Sequence, residues 1–367
     1  MKGRSWVVLV AIMLAADWSV WSYLEQQPPP LKSQEQVVSE IDVYLSGLTS
    51  RGFSGSLLLA QDGSVLLHKT YGLADRSSGR PITIASGFDI GSLVKPFTAT
   101  AILKLESRGK LRPSDSIARF FPNAPPDKAP ITVQQLLTHS AGLPDIVGAD
   151  RNPVAYVPDF DYELVSRNEI VQRALNAKLL FDPGKKSRYS NLGFSLLGAI
   201  IEIASGEPYE QFLRATIFEP AGMTRTGYLG PAWKPDELAV GYLKGKPWGT
   251  PLDHPWLADG PSWNLRANGG MISTAEDLYK WIVALEGGKL LSVAEKAAFF
   301  DLHVHLNQRG TRTMGAAGSN DIFDACYLWY VDEHRVLVML TNSDAWRAEK
   351  MIPDLAKQMR NIRPTVN

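Results

Sequence analysis

The sequence predicts an α+β protein: one antiparallel sheet built from both chain ends and flanked by helices, with a mainly helical region inserted between. Three observations carry this. "GSLLLAQ" (Gly55–Gln61) and "SVLLHKTYG" (Ser64–Gly72) read as strands, and the Asp62-Gly63 pair between them is a strong hairpin signal. Near the other end, "HRVLVMLTN" (His334–Asn342) reads as a buried strand and "DACYLWYVD" (Asp324–Asp332) as its hairpin partner. From about Ser107 to Gly260, helical stripes alternate with proline- and glycine-rich loops such as "RFFPNAPPDKAP" and "DRNPVAYVPDF". Strands at the ends with helices between them point to α+β. No internal repeat is visible.

The N-terminus opens with Lys2 and Arg4 ahead of an apolar run, Trp6–Ala16. That length suits the apolar region of a secretory signal and is too short to span a bilayer. Trp18, Val20, Trp21 and Leu24 prolong the apolar character and no clean A-x-A cleavage site follows, so an uncleaved anchor from Trp6 to Leu24 is the second reading. Residues 1–24 are thus expected to be a signal peptide or membrane anchor, and the remainder an exported protein, periplasmic or secreted. "QQPPPLKSQEQ", within 25–36, reads as a solvated linker. One domain is expected over 37–363, its sheet region at 37–105 and 265–363 and its helical region at 106–264. An amphipathic helix over Val37–Leu48 opens it and a helix over Ala345–Arg360 closes it.

With 38 basic and 38 acidic residues the chain carries no net charge, which excludes the basic footprint of a nucleic-acid partner. A hydrophobic content of 45% suits a substantial core. Cys326 is the single cysteine, so neither an intrachain disulfide nor a cysteine-based metal cluster can form, and its apolar neighbours make it a buried small side chain. His303 and His305 alternate in "DLHVHL", which places both on one face of a strand; without a third ligand they make no zinc site. No cofactor is expected. Trp233, Trp248, Trp256 and Trp263 crowd a loop-rich stretch, where they either line a cleft or pack loops.

Two short stretches carry chemistry. In "DIGSLVKPFTAT" (Asp89–Thr100), Pro96 is tolerated only in the first turn of a helix, so a helix starts near Ser92 and continues through Ala99, Ala101, Ile102 and Leu105. Ser92 and Lys95, three apart, then share a face, and a hydroxyl beside an amine is a candidate activated nucleophile. A second Ser-x-x-Lys, Ser107–Lys110, sits in a glycine, proline and charge cluster and reads as a solvated loop. The other stretch is "FDPGKKSRYSNLGFSLLGAIIEIASG" (Phe181–Gly206). Ser190 or Asn191 caps an apolar helix there, and Tyr189 sits just before it. A phenol can donate or accept a proton and an amide can hold a carbonyl. Taken alone, a cap for Asn191 and a packed aromatic for Tyr189 are the better reading of both residues. His139 in "LLTHSAG" follows a helix, where a donor or cation is an ordinary structural element; with no G-x-S-x-G elbow it does not complete a Ser-His-Asp triad.

Together, Ser92-x-x-Lys95 at a helix start and Tyr189-Ser190-Asn191 before a "LLG" helix resemble the serine β-lactamases and penicillin-binding proteins. The class C β-lactamase-like branch, with its D-aminopeptidase and esterase relatives, is the nearest. "ITVQQLLTHSAGLPD" (Ile131–Asp145), "IFEPAGMTRTGY" (Ile217–Tyr228) and "ANGGMISTAEDLYKW" (Ala267–Trp281) match as well, so the resemblance runs from Val37 to Asn342. It implies a β-lactamase/transpeptidase-like fold and acyl transfer. Ser92 would attack a carbonyl, Lys95 and Tyr189 would share the proton traffic, and which of them is the base stays open. Asn191 would orient the substrate and Lys95, and the Ser92 N–H would supply half of an oxyanion hole.

The sequence departs from this pattern at the family's third motif, a cation, a hydroxyl or glycine, then a glycine. It falls in "TMGAAGSNDIF" (Thr313–Phe323), where Ala316, Ala317 and Gly318 stand. Gly318 still lets the backbone approach, and the Ser319 N–H would complete the oxyanion hole. Arg312, His303 and His305 are the nearby candidates for the missing cation. The expectation is an exported serine hydrolase acting on an ester, an amide or a D-amino-acid peptide, with weak or no β-lactamase activity. The rival reading is a catalytically impaired relative that binds a cell-wall fragment or a protein partner.

Overall fold

The computed structural model describes residues 31–145, 163–253, 256–307, 310–320 and 322–362. The leader or anchor expected at 1–24 and the loop "DRNPVAYVPDF" lie outside these residues.

The first two strands, β1 (Gly55–Gln61) and β2 (Ser64–Tyr71), form the predicted hairpin. Asp62 and Gly63 close it with positive φ values of 50° and 76°, the backbone that a two-residue turn demands and that Asp-Gly tolerates. The late strands are β5 (His305–Leu306), β6 (Arg312–Ser319), β7 (Asp324–Tyr330) and β8 (Arg335–Thr341). Between the two groups, β3 (Phe88–Asp89) and β4 (Ile272–Ser273) make a separate ribbon. The main sheet is antiparallel in the order β5-β6-β7-β8-β1-β2. The chain ends meet at the β1–β8 seam, from Gly55 opposite Thr341 to Gln61 opposite Arg335. An antiparallel sheet assembled from both ends is what the sequence predicted.

Both faces of this sheet are covered, which is why its central strands read as continuous apolar runs. Successive side chains point to opposite faces. Leu57, Leu59, Leu337 and Met339 meet α1 (Gln34–Thr49) and the final helix α9 (Ala348–Met359) through Ile41, Leu45, Ile352 and Leu355. Cys326 is buried on this side. Leu58, Val338, Leu340 and Trp329 face the larger core, which holds α2 (Val94–Ser107), α3 (Val133–Leu137), α4 (Arg167–Asn176), α5 (Asn191–Ser205), α6 (Tyr209–Leu213), α7 (Ala275–Glu286) and α8 (Val293–His303). Helix α5 sits centrally, with Leu196, Leu197, Ile200 and Ile201 fully buried between α2, α3 and α4.

Several expectations are corrected. Order begins before Val37: Ser33 and Gln36 form a reciprocal capping box that starts α1 at Gln34, and the Lys32 N–H donates to Asn361 O at 2.7 Å, so the expected linker ends earlier. Helix α9 starts at Ala348 instead of Ala345, because Ser343 to Trp346 forms a turn and the Asp324 carboxylate receives the Glu349 N–H at 2.9 Å. Ser107 is the last residue of α2, its hydroxyl bonded to Lys104 O, and only Lys110 lies in the turn beyond. His303 ends α8 while His305 begins β5, so the two do not share a strand face.

Candidate active site

The site forms where α2 begins. Ile90 donates its N–H to Met271 O beside the β3–β4 ribbon, and Gly91–Leu93 then makes a single 3₁₀ turn before α2 starts at Val94. Ser92 therefore lies in this turn, just outside the α-helix proper, and Pro96 is the third α-helical residue, inside the first turn as its chemistry requires. Gly91 has φ of 48°, and the turn directs Ser92 and Lys95 to the same side.

The Lys95 ammonium nitrogen lies 2.9 Å from Ser92 Oγ and donates to Asn268 O at 2.8 Å. The Tyr189 hydroxyl is 2.5 Å from Ser92 Oγ on the other side. Lys95 Nζ also sits 4.7 Å from the Tyr189 ring centre and 5.6 Å from that of Phe194. Only 6% of Lys95 is exposed. Burial pulls its pKa down from 10.5 to about 7, against the opposing charge of Asp145. Burial holds the Tyr189 phenol well above its ordinary value, although its bond with Ser92 acts in the other direction. Tyr189 is thus a neutral phenol near neutral pH, while Lys95 loses its proton far more readily than an exposed lysine.

The loop carrying Tyr189 is stitched to the loop after α3. Arg188 N–H donates to His139 O, Ser187 Oγ to Thr138 O, and Ser190 Oγ to Pro144 O. Ser190 also caps α5 by receiving the Gly193 N–H, so Asn191 is the first helical residue. His139 adopts φ of 53°, and its ring stacks on Tyr189 at 4.9 Å while Nδ1 accepts the Ser190 N–H at 3.1 Å. Its place after a helix was expected, but it acts as an acceptor, not as a donor or cation: burial first, then the Lys95 charge, pushes its pKa to about 3.

The Asn191 N–H donates to Asp145 Oδ1 at 2.8 Å, and the carbonyl that receives Lys95 Nζ belongs to Asn268. Sequence reasoning missed three supporting residues. Asp145 places a half-buried carboxylate behind Asn191. Asn268 holds Lys95 through its backbone. Tyr228 braces the same turn, donating to Gly269 O and accepting the Ala267 N–H. All three lie in stretches that carried the family resemblance, but a backbone acceptor leaves no mark on residue type.

Ala316, Ala317 and Gly318, which the resemblance aligns with the third motif, lie near the end of β6. Ala316 is on the same strand face as Met314 and Gly318, and packs against the larger core. A side chain on Gly318 would lie 2.0 Å from Ile90 O and 2.6 Å from Ser92 N, and one on Gly91 would lie 2.6 Å from Ser319 N. The backbones bearing the Ser92 and Ser319 N–H groups therefore touch with no room for a side chain between them. None of the nearby candidates takes the place of the missing cation. Arg312 pairs with Asp332 at 2.6 Å at the opposite end of β6, His305 is exposed on β5, and burial pushes the His303 imidazole down to about 4. The tryptophans mainly pack loops. Trp233 and Trp263 are buried under the Arg225 and Arg266 guanidinium groups, while Trp248 and Trp256 meet Phe323 and Tyr228 edge-on. Among the described residues, no group of His, Cys, Asp and Glu side chains is placed to hold a metal ion.

Comparison with known proteins agrees with this geometry. The Beta-lactamase family matches residues 47–358. A penicillin-binding protein of Bacillus subtilis (strain 168) is 30% identical over 322 residues, covering 80% of this chain and 68% of that protein. Esterase EstB of Burkholderia gladioli is 31% identical over 215 residues, 56% of this chain and 54% of the esterase. The chain thus spans between about half and two thirds of these relatives' lengths. The crystal structure of a D-amino acid amidase from Ochrobactrum anthropi SV3 with D-phenylalanine superposes with a TM-score of 0.71, at 25% identity over 89% of this chain and all of that one. A family match across most of the chain, over an antiparallel sheet with Ser92, Lys95 and Tyr189 in mutual contact, makes this chain a member of the Beta-lactamase family of serine hydrolases.

Proposed function

We propose that this chain is an exported serine hydrolase that forms an acyl-enzyme on Ser92 with an ester, an amide or a D-amino-acid peptide. The unbroken contact Tyr189–Ser92–Lys95 carries the reading. A serine hydroxyl needs a base to attack at neutral pH. Lys95 at about 7 supplies one, whereas the raised Tyr189 pKa makes the phenol a relay that hands the proton to the leaving group. The N–H groups of Ser92 and Ser319 would receive the developing oxyanion. With Ala316 in place of a cation, nothing on β6 anchors a substrate carboxylate, which disfavours β-lactams and favours uncharged acyl groups. Ala316 and Ala317 are also the observation behind the rival reading, a binding protein for a cell-wall fragment or protein partner. Export, with or without a membrane tether, rests on the basic and apolar residues before Leu24.

The deciding experiment is intact-mass spectrometry with a fluorophosphonate, a penicillin and an activated ester, beside Ser92→Ala. An adduct on the wild type and not on the variant is the expected result, strongest for the activated ester. No adduct on folded protein would favour the binding reading.

The geometry gives two further expectations. Lys95 must be neutral to take the Ser92 proton, so the acylation rate should rise with pH along a limb centred near 7. Stopped-flow acylation between about pH 5 and 9 checks this, and a flat profile would remove Lys95 as the base. Tyr189→Phe keeps the ring between His139 and Lys95 but removes the hydroxyl, and should slow acylation by roughly 100-fold or more. An unchanged rate would leave Tyr189 a packing residue.

A further inference from the structure

The two backbone segments that bear the Ser92 and Ser319 N–H groups come from opposite ends of the chain. Asp89 lies three residues before Ser92, and Asn320 immediately follows Ser319. Asp89 is 7% exposed. Its Oδ1 accepts the Gly91 N–H at 2.7 Å, which shapes the turn presenting Ser92, and its Oδ2 accepts from Asn320 Nδ2 at 3.2 Å. The Asn320 amide cannot turn freely. Its Oδ1 is held by the Phe323 N–H at 2.8 Å and the Ile322 N–H at 3.2 Å, in the turn joining β6 to β7. Its amino group must therefore face Asp89.

We propose that Asp89 is a positioning residue for acyl transfer, a clamp that joins the turn carrying the Ser92 N–H to the strand end carrying the Ser319 N–H and sets the distance between them. The proposal rests on the reading of Ser92 as nucleophile and extends it to residues outside the reacting group. A carboxylate suits the position because both of these contacts come from donors. An amide in its place cannot accept both: with Oδ1 on Gly91, its amino group would face the amino group of Asn320. Asp89→Asn therefore breaks the clamp with almost no change in shape. The exchange Asp89→Asn with Asn320→Asp restores it in reverse, since the amide would now donate to a carboxylate that still accepts from Phe323 and Ile322.

The test uses phenylboronic acid. Ser92 Oγ adds to the trigonal boron, forming an O–B bond as its O–H breaks; the proton passes to Lys95, and the resulting tetrahedral boronate places one oxygen toward the two N–H groups. Because loss of a whole oxyanion donor costs about 100- to 1,000-fold in rate, a displaced one should weaken boronate affinity about 10- to 100-fold in Asp89→Asn and in Asn320→Ala. The double exchange should recover most of this. The pH limb of acylation should stay where it is, because Lys95 is untouched. Boronate affinity unchanged in both single variants, or a double exchange no better than Asp89→Asn with all variants folded by circular dichroism, would overturn the clamp. Failure of the wild type to take boronate or ester at all would instead overturn the reading of Ser92.

Discussion

Lys95→Met should abolish acylation of Ser92 and at the same time raise the melting temperature. Methionine matches the length of the lysine stem and suits a buried site, but it can take no proton. The loss of rate should therefore reach background, about 1,000-fold or more, as for a removed nucleophile activator. The gain in stability follows from linkage. The folded-state pKa of Lys95 is about 7 against 10.5 for the unfolded residue. Between these values the unfolded chain binds more protons, so stability rises with pH across that window and the full penalty is present below about 7. That penalty is on the order of 5 kcal/mol. Loss of the bond to the Asn268 carbonyl leaves that acceptor buried and offsets roughly 1–3 kcal/mol of it. A net rise of a few degrees is expected near pH 6, shrinking toward pH 10. Calorimetry at the two pH values reads it, and a variant less stable than wild type at both would show that the folded state carries no such cost.

How much of this was legible follows from where each interaction resides. The β1–β2 hairpin was readable because Asp62 and Gly63 tolerate the positive φ that the turn needs. The α2 start was readable because Pro96 permits few positions. Strand β6 was not readable from its own residues: "RTMGAAGS" is poor in β-branched and aromatic side chains, and pairing with β7 places it. It was located only through the family resemblance. Asn268 was invisible because it acts through a carbonyl that every residue owns. Asp145 was quoted as part of a matching segment, but its place behind Asn191 depends on a contact across 46 residues of chain. The acceptor state of His139 likewise emerges only once the surrounding core buries it and the Lys95 charge sits beside it.

Gly318→Ala should cost about 100-fold in acylation rate, though no reacting atom changes. The added methyl would lie 2.0 Å from Ile90 O, 2.6 Å from Ser92 N and 2.8 Å from Leu93 N. All three are backbone atoms, so no side-chain rotation relieves the contact. The turn is itself pinned, by Ile90 N–H on Met271 O and by Gly91 N–H on Asp89, and β6 is pinned along its length to β7. One of them must move by about 1 Å, a displacement that can cost about 100-fold when it alters catalytic geometry. Overpacking of this kind also destabilises by roughly 1–3 kcal/mol. Gly315, on the same strand, supplies the control. A methyl there would meet Leu328 Cδ1 at 3.4 Å, the end of a flexible side chain, so Gly315→Ala should acylate at close to the wild-type rate. Comparing the two variants in the same ester assay separates the local demand at Gly318 from any general intolerance of the strand. Equal activity in both would mean that the close approach of β6 to the Ser92 turn does not matter for acyl transfer. Loss confined to Gly318→Ala would place the geometry of that single contact at the centre of the site.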